Sequence, residues 1–402
     1  MNKWILKFTS FLVVFTPFLE PYRISSITLD TLSLFLVIVL SIFFVKNKQG
    51  DDYGLKVFLI YALSVPNIIA IAYGYTSHLT SSLIVLGLYA ICYYKVFPNV
   101  SLEYVKKYYR IFAWLVCIVF ILQEFMYISL GYRFSALMPF LDVRYDGITM
   151  SSFISSQMFY PRSSTFFLEP SHQAHFLLPY LAMVLGDNSS GLSIKRYIEP
   201  IIVSIVLFFL QSGCGVVGTA FIWLFYVLGI NLSKWKKTVF IICSSLVAVY
   251  IIGYITSTEI GNSLISRTSE LEVGGDYERS GTIRIFRGFY VFGAMDYLQQ
   301  LFGVGTGGSV DVIEHSPFFA MFFGTERYLN NIQMLLVGFG VFGSILFFRH
   351  FIRLYKNNLL SGKLALIAFL SLCFLESFFM TSKMILFFII AYSYKKKFEI
   401  NT

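Results

Sequence analysis

Residues 364–394 read LALIAFLSLCFLESFFMTSKMILFFIIAYSY, an apolar run interrupted by only two charges, Glu376 and Lys383. As one helix it would be about 46 Å long at 1.5 Å per residue, far beyond the roughly 30 Å of hydrocarbon in a bilayer. Both charges would then sit near mid-membrane, which costs several kcal/mol. A tight hairpin turning near Thr381 removes both difficulties, so the run is read as two spans, at about 364–379 and 381–394, with Glu376 and Lys383 forming an ion pair at the turn.

The same length rule, carried upstream, places further spans at about 4–19, 29–45, 55–73, 78–96, 110–130, 166–186, 198–212, 214–231, 238–256 and 328–348. Composition agrees: 57% of the residues are hydrophobic and 13% charged, against about 25% charged in an ordinary soluble domain. The expected fold is therefore all-α, a polytopic integral membrane protein of about 12 transmembrane helices forming one domain over 1–402. Lys3, Lys7 and FTSFLVVFTPFL look like a signal peptide, but no small-x-small cleavage site precedes Glu20-Pro21-Tyr22-Arg23, so this segment is expected to be a retained first span. The five cysteines stand singly, as buried thiols do, and form no CxxC pair.

With a cytoplasmic N-terminus, 21 of the 31 basic residues fall on the cytoplasmic side of the twelve spans, as the positive-inside rule requires, and both termini lie inside. The outer remainder is Arg23, Arg133, Arg144, Arg162, Arg267, Arg279, Arg284, Arg287, Arg327 and Lys383. Nine of these ten are arginines, whereas seventeen of the inner 21 are lysines. Two readings fit: lysine serves only as a topology signal, or the outer arginines are there for bidentate recognition of phosphate oxygens, which a planar guanidinium matches and an ammonium does not. Neither reading needs nucleic acid to account for the net charge of +9.

Two long segments face outward, 131–165 and about 257–327, and both are too aromatic for disorder. Within the second, SGTIRIFRGFYVFGAMDYLQQ sets Arg284 and Arg287 three residues apart on one helical face, with Ile285, Phe286, Phe289 and Phe292 on another. This pattern suits an amphipathic helix in the outer interface, its guanidiniums near lipid phosphates or simply anchoring the loop. The following GVGTGG, 303–308, matches GxGxxG but lacks the surrounding strand and helix of a dinucleotide site, and reads as a flexible or close-packed turn.

The most polar helix start is RSSTFFLEPSHQAHFLLPYLAMVLG, 162–186. Pro170 favours the first helical position, which puts Glu169 at the cap and His172 and His175 on roughly one face behind it. Ionisable groups at membrane depth are costly and normally face a cavity or a partner, so the trio reads as a functional site. As a metal site Glu169, His172 and His175 lack a companion ligand cluster, and HExxH and DxD are missing from the outer segments, so no metal and no cofactor are expected. Gln123, Glu124, the Gln211–Gly215 turn and the final hairpin lie at the same level, which suggests a polar chamber.

Taken together, RSSTFFLEPSHQAHF, the outer loop ending in QQLFGVGTGG and the subsequent YLNNIQMLLVGFGVFGSILFF resemble the bacterial O-antigen polymerases, the Wzy class of oligosaccharide repeat-unit polymerases. The related O-antigen ligases typically carry a histidine-asparagine pair before the equivalent of the tenth span. Here that region reads TERYLNN, and His315 lies well upstream, which lowers the ligase alternative. A transporter of lipid-linked oligosaccharide is a further alternative, but no half-to-half similarity supports it.

The resemblance implies a metal-independent glycosyltransferase at the periplasmic face of the bacterial inner membrane. It would act on undecaprenyl-pyrophosphate-linked oligosaccharide in contact with membrane lipids, with a polysaccharide chain-length regulator as a further partner. Under it, Arg284 and Arg287, with Arg162 or Arg279, would hold the pyrophosphate, where charge develops in the transition state. Glu169 would serve as base or acceptor-positioning group and His172 as the second-choice base, with His175 and Arg327 as weaker substrate contacts.

Overall fold

Helices dominate because most of the chain consists of long apolar runs, whose backbone groups a helix satisfies internally. The computed structural model describes residues 3–25, 27–44, 53–97, 100–144, 149–158, 162–187, 194–230, 235, 280–319, 329–379 and 381–395. The expected ninth span at 238–256, with Arg267, Arg279 and Arg327, lies outside the described residues, as does the Arg284 side chain. The helices are α1 (Lys3–Leu19), α2 (Leu29–Phe44), α3 (Tyr53–Ala72), α4 (Leu79–Ile91, continued by a π turn over Cys92–Val96), α5 (Leu102–Leu130) and the short α6 (Met150–Met158). Then follow α7 (Pro170–Asp187), α8 (Ile194–Phe209), α9 (Gly213–Gly229), α10 (Ser280–Ala294), α11 (Tyr297–Phe302), α12 (Gly305–His315), α13 (Asn331–Lys356), α14 (Leu360–Leu372) and α15 (Ser382–Ser393).

Four helical stretches among the described residues, Gly54–Ala72, Leu79–Val96, Leu102–Leu130 and Asn331–Lys356, are long and apolar enough to cross a membrane. The outward faces of α3 and α5 carry large apolar side chains, with Ile60 68%, Phe125 66% and Ile128 82% exposed, a surface that lipid rather than water would cover. At the centre the pattern inverts. Along α7, Phe176, Leu177, Leu178, Leu181 and Leu185 are all fully buried, and α15 is buried from Ser382 to Tyr392. Such helices, apolar all round, belong inside a bundle, and α7 packs there against α14, α9 and α15.

The last hairpin forms as the length of the apolar run demands. The helix stops at Leu372 and restarts at Ser382, behind Thr381 in an extended conformation. The fifth span is longer than its apolar core suggested. It starts at Leu102 rather than near 110, behind Ser101 and with Glu103 in its first turn, and ends on Gly131 in the left-handed region.

One element escaped the sequence reading altogether. β1 (Tyr22–Ile24), β2 (Ile27–Thr28) and β3 (Asp142–Val143) make an antiparallel sheet in the order β2-β1-β3. Strands of two or three residues are too short to show alternation, so periodicity does not reveal them. Arg23 pairs with Asp142, and the Arg144 amide donates to the Pro21 carbonyl at 2.9 Å. Residues 142–144 are thereby tied to the end of α1.

Of the glycine run 303–308 only Gly303 and Val304 form the turn between α11 and α12, while Gly305–Gly308 are the first turn of α12, which corrects the reading of the whole run as a turn; the element before it is a helix, not a strand. Gly303 sits at φ 77, ψ 176, and a Cβ there would lie 2.4 Å from the Gly338 carbonyl oxygen. Opposite it, α13 is kinked at Gly340 (φ 66), with the Tyr61 hydroxyl 2.8 and 3.0 Å from the Phe302 and Phe339 carbonyls. Gly303→Ala is expected to cost about 1–3 kcal/mol from the backbone conformation alone. A lower thermal midpoint in lipid nanodiscs checks this; an unchanged midpoint would mean that the turn relaxes freely.

Candidate functional site

The polar groups of the bundle gather at its two ends. At one end Glu199 accepts from Arg110 Nε at 3.0 Å and from Trp114 Nε1 at 2.8 Å, and also from Arg110 Nη2 and the Tyr180 hydroxyl. Nearby, Asp187 takes Lys106 at 2.8 Å and the Tyr394 hydroxyl at 2.6 Å. These carboxylates are well satisfied and lock α5, α7, α8 and the end of α15 together. The opposite end of α7, about 27 Å away at 1.5 Å per residue, is arranged differently.

There, the helix begins at Pro170, with the Glu169 carbonyl accepting from the His172 and Gln173 amides at 3.1 and 3.3 Å. Glu169 is therefore at the cap, its carboxylate 56% exposed and bonded by the Ser171 hydroxyl at 3.3 Å. His172 Nε2 is 4.0 Å from Glu169, and its Nδ1 is 3.8 Å from Glu20. Glu20, at the end of α1 and 3% exposed, is the centre of the cluster. One of its oxygens meets both Lys383 Nζ and Arg144 Nη1, each at 3.0 Å.

This corrects the expected Glu376–Lys383 pair. Lys383 lies in the first turn of α15, where it reaches the end of α1, whereas Glu376 lies in the non-helical linker before it. Asn331, fully buried, fixes that linker: its amide donates to the Glu376 carbonyl at 3.0 Å, and its Oδ1 accepts from the Phe378 and Phe379 amides, both at 2.8 Å. The Glu376 carboxylate instead accepts from the Cys214 thiol at 3.1 Å.

The outer arginines divide into distinct environments. Arg133, 4% exposed, spends its fork on Glu124 at 3.1 and 3.0 Å, donates to Ser163 at 2.9 Å and stacks on Tyr127. Glu124 is thus a structural partner rather than a chamber wall. Gln123 is too, since it donates to the Phe134 carbonyl at 2.7 Å and accepts from the Thr165 amide at 3.2 Å. Arg144 is taken by Glu20. Arg162 is half-buried and donates to the Gln211 carbonyl at 3.4 Å, which places it over the α8–α9 turn.

Arg287 enters from α10, and its placement corrects the expectation that its guanidinium lies out near lipid phosphates. It is 2% exposed and faces the protein, while Phe286, Phe289 and Tyr290 face outward. Gly288 permits this, because α10 rests on Gln333 there and Gln333 Nε2 donates to the Ile285 carbonyl at 2.8 Å. Gln333 also closes a capping box with Asn330, so Arg287 is carried by the same helix start that holds the Glu376 linker.

His175 is one turn deeper than His172 and 1% exposed, its ring 4.6 Å from that of Phe378. Among the described residues the structure thus unites Glu169, His172, Glu20, Arg144 and Lys383, with Arg162 above the neighbouring turn. Glu20 and Asn331 were missed because each looked like a mere boundary residue, although an acidic residue ending an apolar span is a signal. No protein-family model and no curated protein matches this chain.

Proposed function

We propose that the chain is a Wzy-type polymerase joining undecaprenyl-pyrophosphate-linked oligosaccharide repeat units at the periplasmic face of a bacterial inner membrane. In this reading it has twelve spans, both termini in the cytoplasm, and the Glu20 end of α7 outward. The observation that carries it is a buried carboxylate held by two cations, Lys383 and Arg144, beside the exposed Glu169 at the start of a central apolar helix. Lys383 and Arg144 balance Glu20 and Glu169, so the bias toward an anionic ligand, close to a carboxylate able to take a proton, comes from the N-terminus of α7.

In the transfer, an acceptor sugar hydroxyl attacks the anomeric carbon of the donor as the bond from that carbon to the pyrophosphate oxygen breaks. The hydroxyl proton passes to Glu169, with His172 as the second-choice base, and undecaprenyl pyrophosphate departs with the bonding electrons. Arg287, Arg284 and Arg162 or Arg279 neutralise the charge that grows on the leaving group, in a site dry enough for each contact to count. The reading uses no metal and no nucleotide.

The test is to supply the protein in bilayers with its lipid-linked repeat unit and to resolve the products by size. A ladder of lengthening glycans without added nucleotide is the expected result. Unchanged repeat units with the folded protein present would reject the polymerase, and lipid-linked units that cross the bilayer unextended would identify a transporter instead.

A further inference from the structure

Below the charged cluster, three donor groups from distant parts of the chain converge: an imidazole nitrogen of His175, the Cys214 thiol and a Glu376 carboxylate oxygen lie within 4.8 Å of one another. Both His175 ring nitrogens are buried with no hydrogen-bond partner. A buried imidazole left so forfeits free energy that a ligand at its nitrogen would restore. We propose that His175, Cys214 and Glu376 form a zinc-binding site that joins α7, α9 and the linker between α14 and α15.

The donor set favours this ion. Imidazole, thiolate and carboxylate are the three ligand types zinc takes, and three protein ligands leave a fourth position for water. Charge also balances, because one thiolate and one carboxylate neutralise a divalent cation in a buried site where an uncompensated charge would be costly. Cys214 is the second residue of α9, and as a ligand it would bind as the thiolate, its proton released when the ion enters. Ideal zinc bond lengths set tetrahedral donors about 3.3–3.6 Å apart, so the cluster closes by small side-chain rotations. Cys214 and Glu376 are already 3.1 Å apart.

The neighbours fit as well. Lys383, the cation that would oppose a metal here, is engaged by Glu20 at 3.0 Å, and Asn331 holds the backbone of the Glu376 linker. The sequence offered no companion ligands for His175 because they come from a helix start and a linker far along the chain. The site does not depend on the glycosyl-transfer reading, since its occupancy is measured without activity.

The experiment is elemental analysis of the full-length protein purified in nanodiscs after equilibration with zinc and removal of the excess. One zinc per chain is expected in the wild type, lost in Cys214→Ser, Glu376→Gln and His175→Ala. Cobalt in place of zinc reports the donor atoms: a thiolate-to-cobalt charge-transfer band is expected in the wild type and missing in Cys214→Ser. The cobalt measurement on the wild type needs no variant to fold. Absence of the band, with Cys214 shown to be reduced by thiol labelling after unfolding, overturns the proposal. So does zinc that remains bound in all three variants.

Discussion

Lys383→Ala is expected to destabilise the protein by about 3 kcal/mol, the low end of the range for removing one partner of a buried ion pair. The lysine and Glu20 side chains are only 6% and 4% exposed, so the carboxylate left behind is not rescued by water. Arg144 stays in contact, which holds the loss at the low end. Unfolding in mixed micelles by titration with a denaturing detergent measures the difference. The double substitution Glu20→Gln, Lys383→Met is expected to recover most of it, because a buried pair replaced by groups of similar volume is often nearly neutral. A loss under about 1 kcal/mol for the single variant would mean that the pair behaves as an exposed one.

Under the proposed polymerase reading, Glu169→Gln is expected to slow chain extension by about 10²–10⁴-fold while leaving the fold intact. Its side chain is largely exposed and amide-for-carboxylate exchange preserves shape, so thermal stability should be unchanged. The form of the loss separates two roles. A proton acceptor acts only in the transition state, so its removal lowers kcat with KM nearly constant, whereas a group that merely holds the acceptor sugar raises KM. Full activity in Glu169→Gln would transfer the base role to His172, and His172→Ala is the variant that would then abolish the ladder.

Much of the bundle was legible because its signals are local. Pro170 cannot continue a helix backwards into Glu169, and α7 starts there. Residues 364–394 are too long for one span and break between Leu372 and Ser382. The glycine run from 303 lacked a strand before it, and a helix precedes it, but the run is a turn only at Gly303 and Val304 and then opens α12. The amphipathic reading of 280–294 found the helix but not its orientation. A helix with arginine on one face and phenylalanine on another presents the phenylalanines outward when its surroundings are apolar, the reverse of the arrangement in water.

The charged cluster was only half legible. Glu169 and His172 share a helix, so spacing alone joined them, but Glu20 reaches them through contacts that no local pattern encodes. Lys383 stands seven positions after Glu376, yet it meets Glu20 near the other end of the chain, because the fold sets the first turn of α15 against the end of α1. Arg144 arrives by way of a three-stranded sheet whose strands are too short to announce themselves.

The sequence by itself determined a mostly helical chain with apolar runs of membrane length, the start of α7 at Pro170 and the ends at which charge had to collect. Hydrophobic run length, proline and charge cost act over a few residues and need no partner to be read. Only the tertiary structure decided which carboxylate each cation takes, that Arg287 points inward, and that His175 faces Cys214 and Glu376. Those outcomes depend on which helices pack side by side, and in a bundle of nearly interchangeable apolar helices that choice is made by the whole set of contacts together.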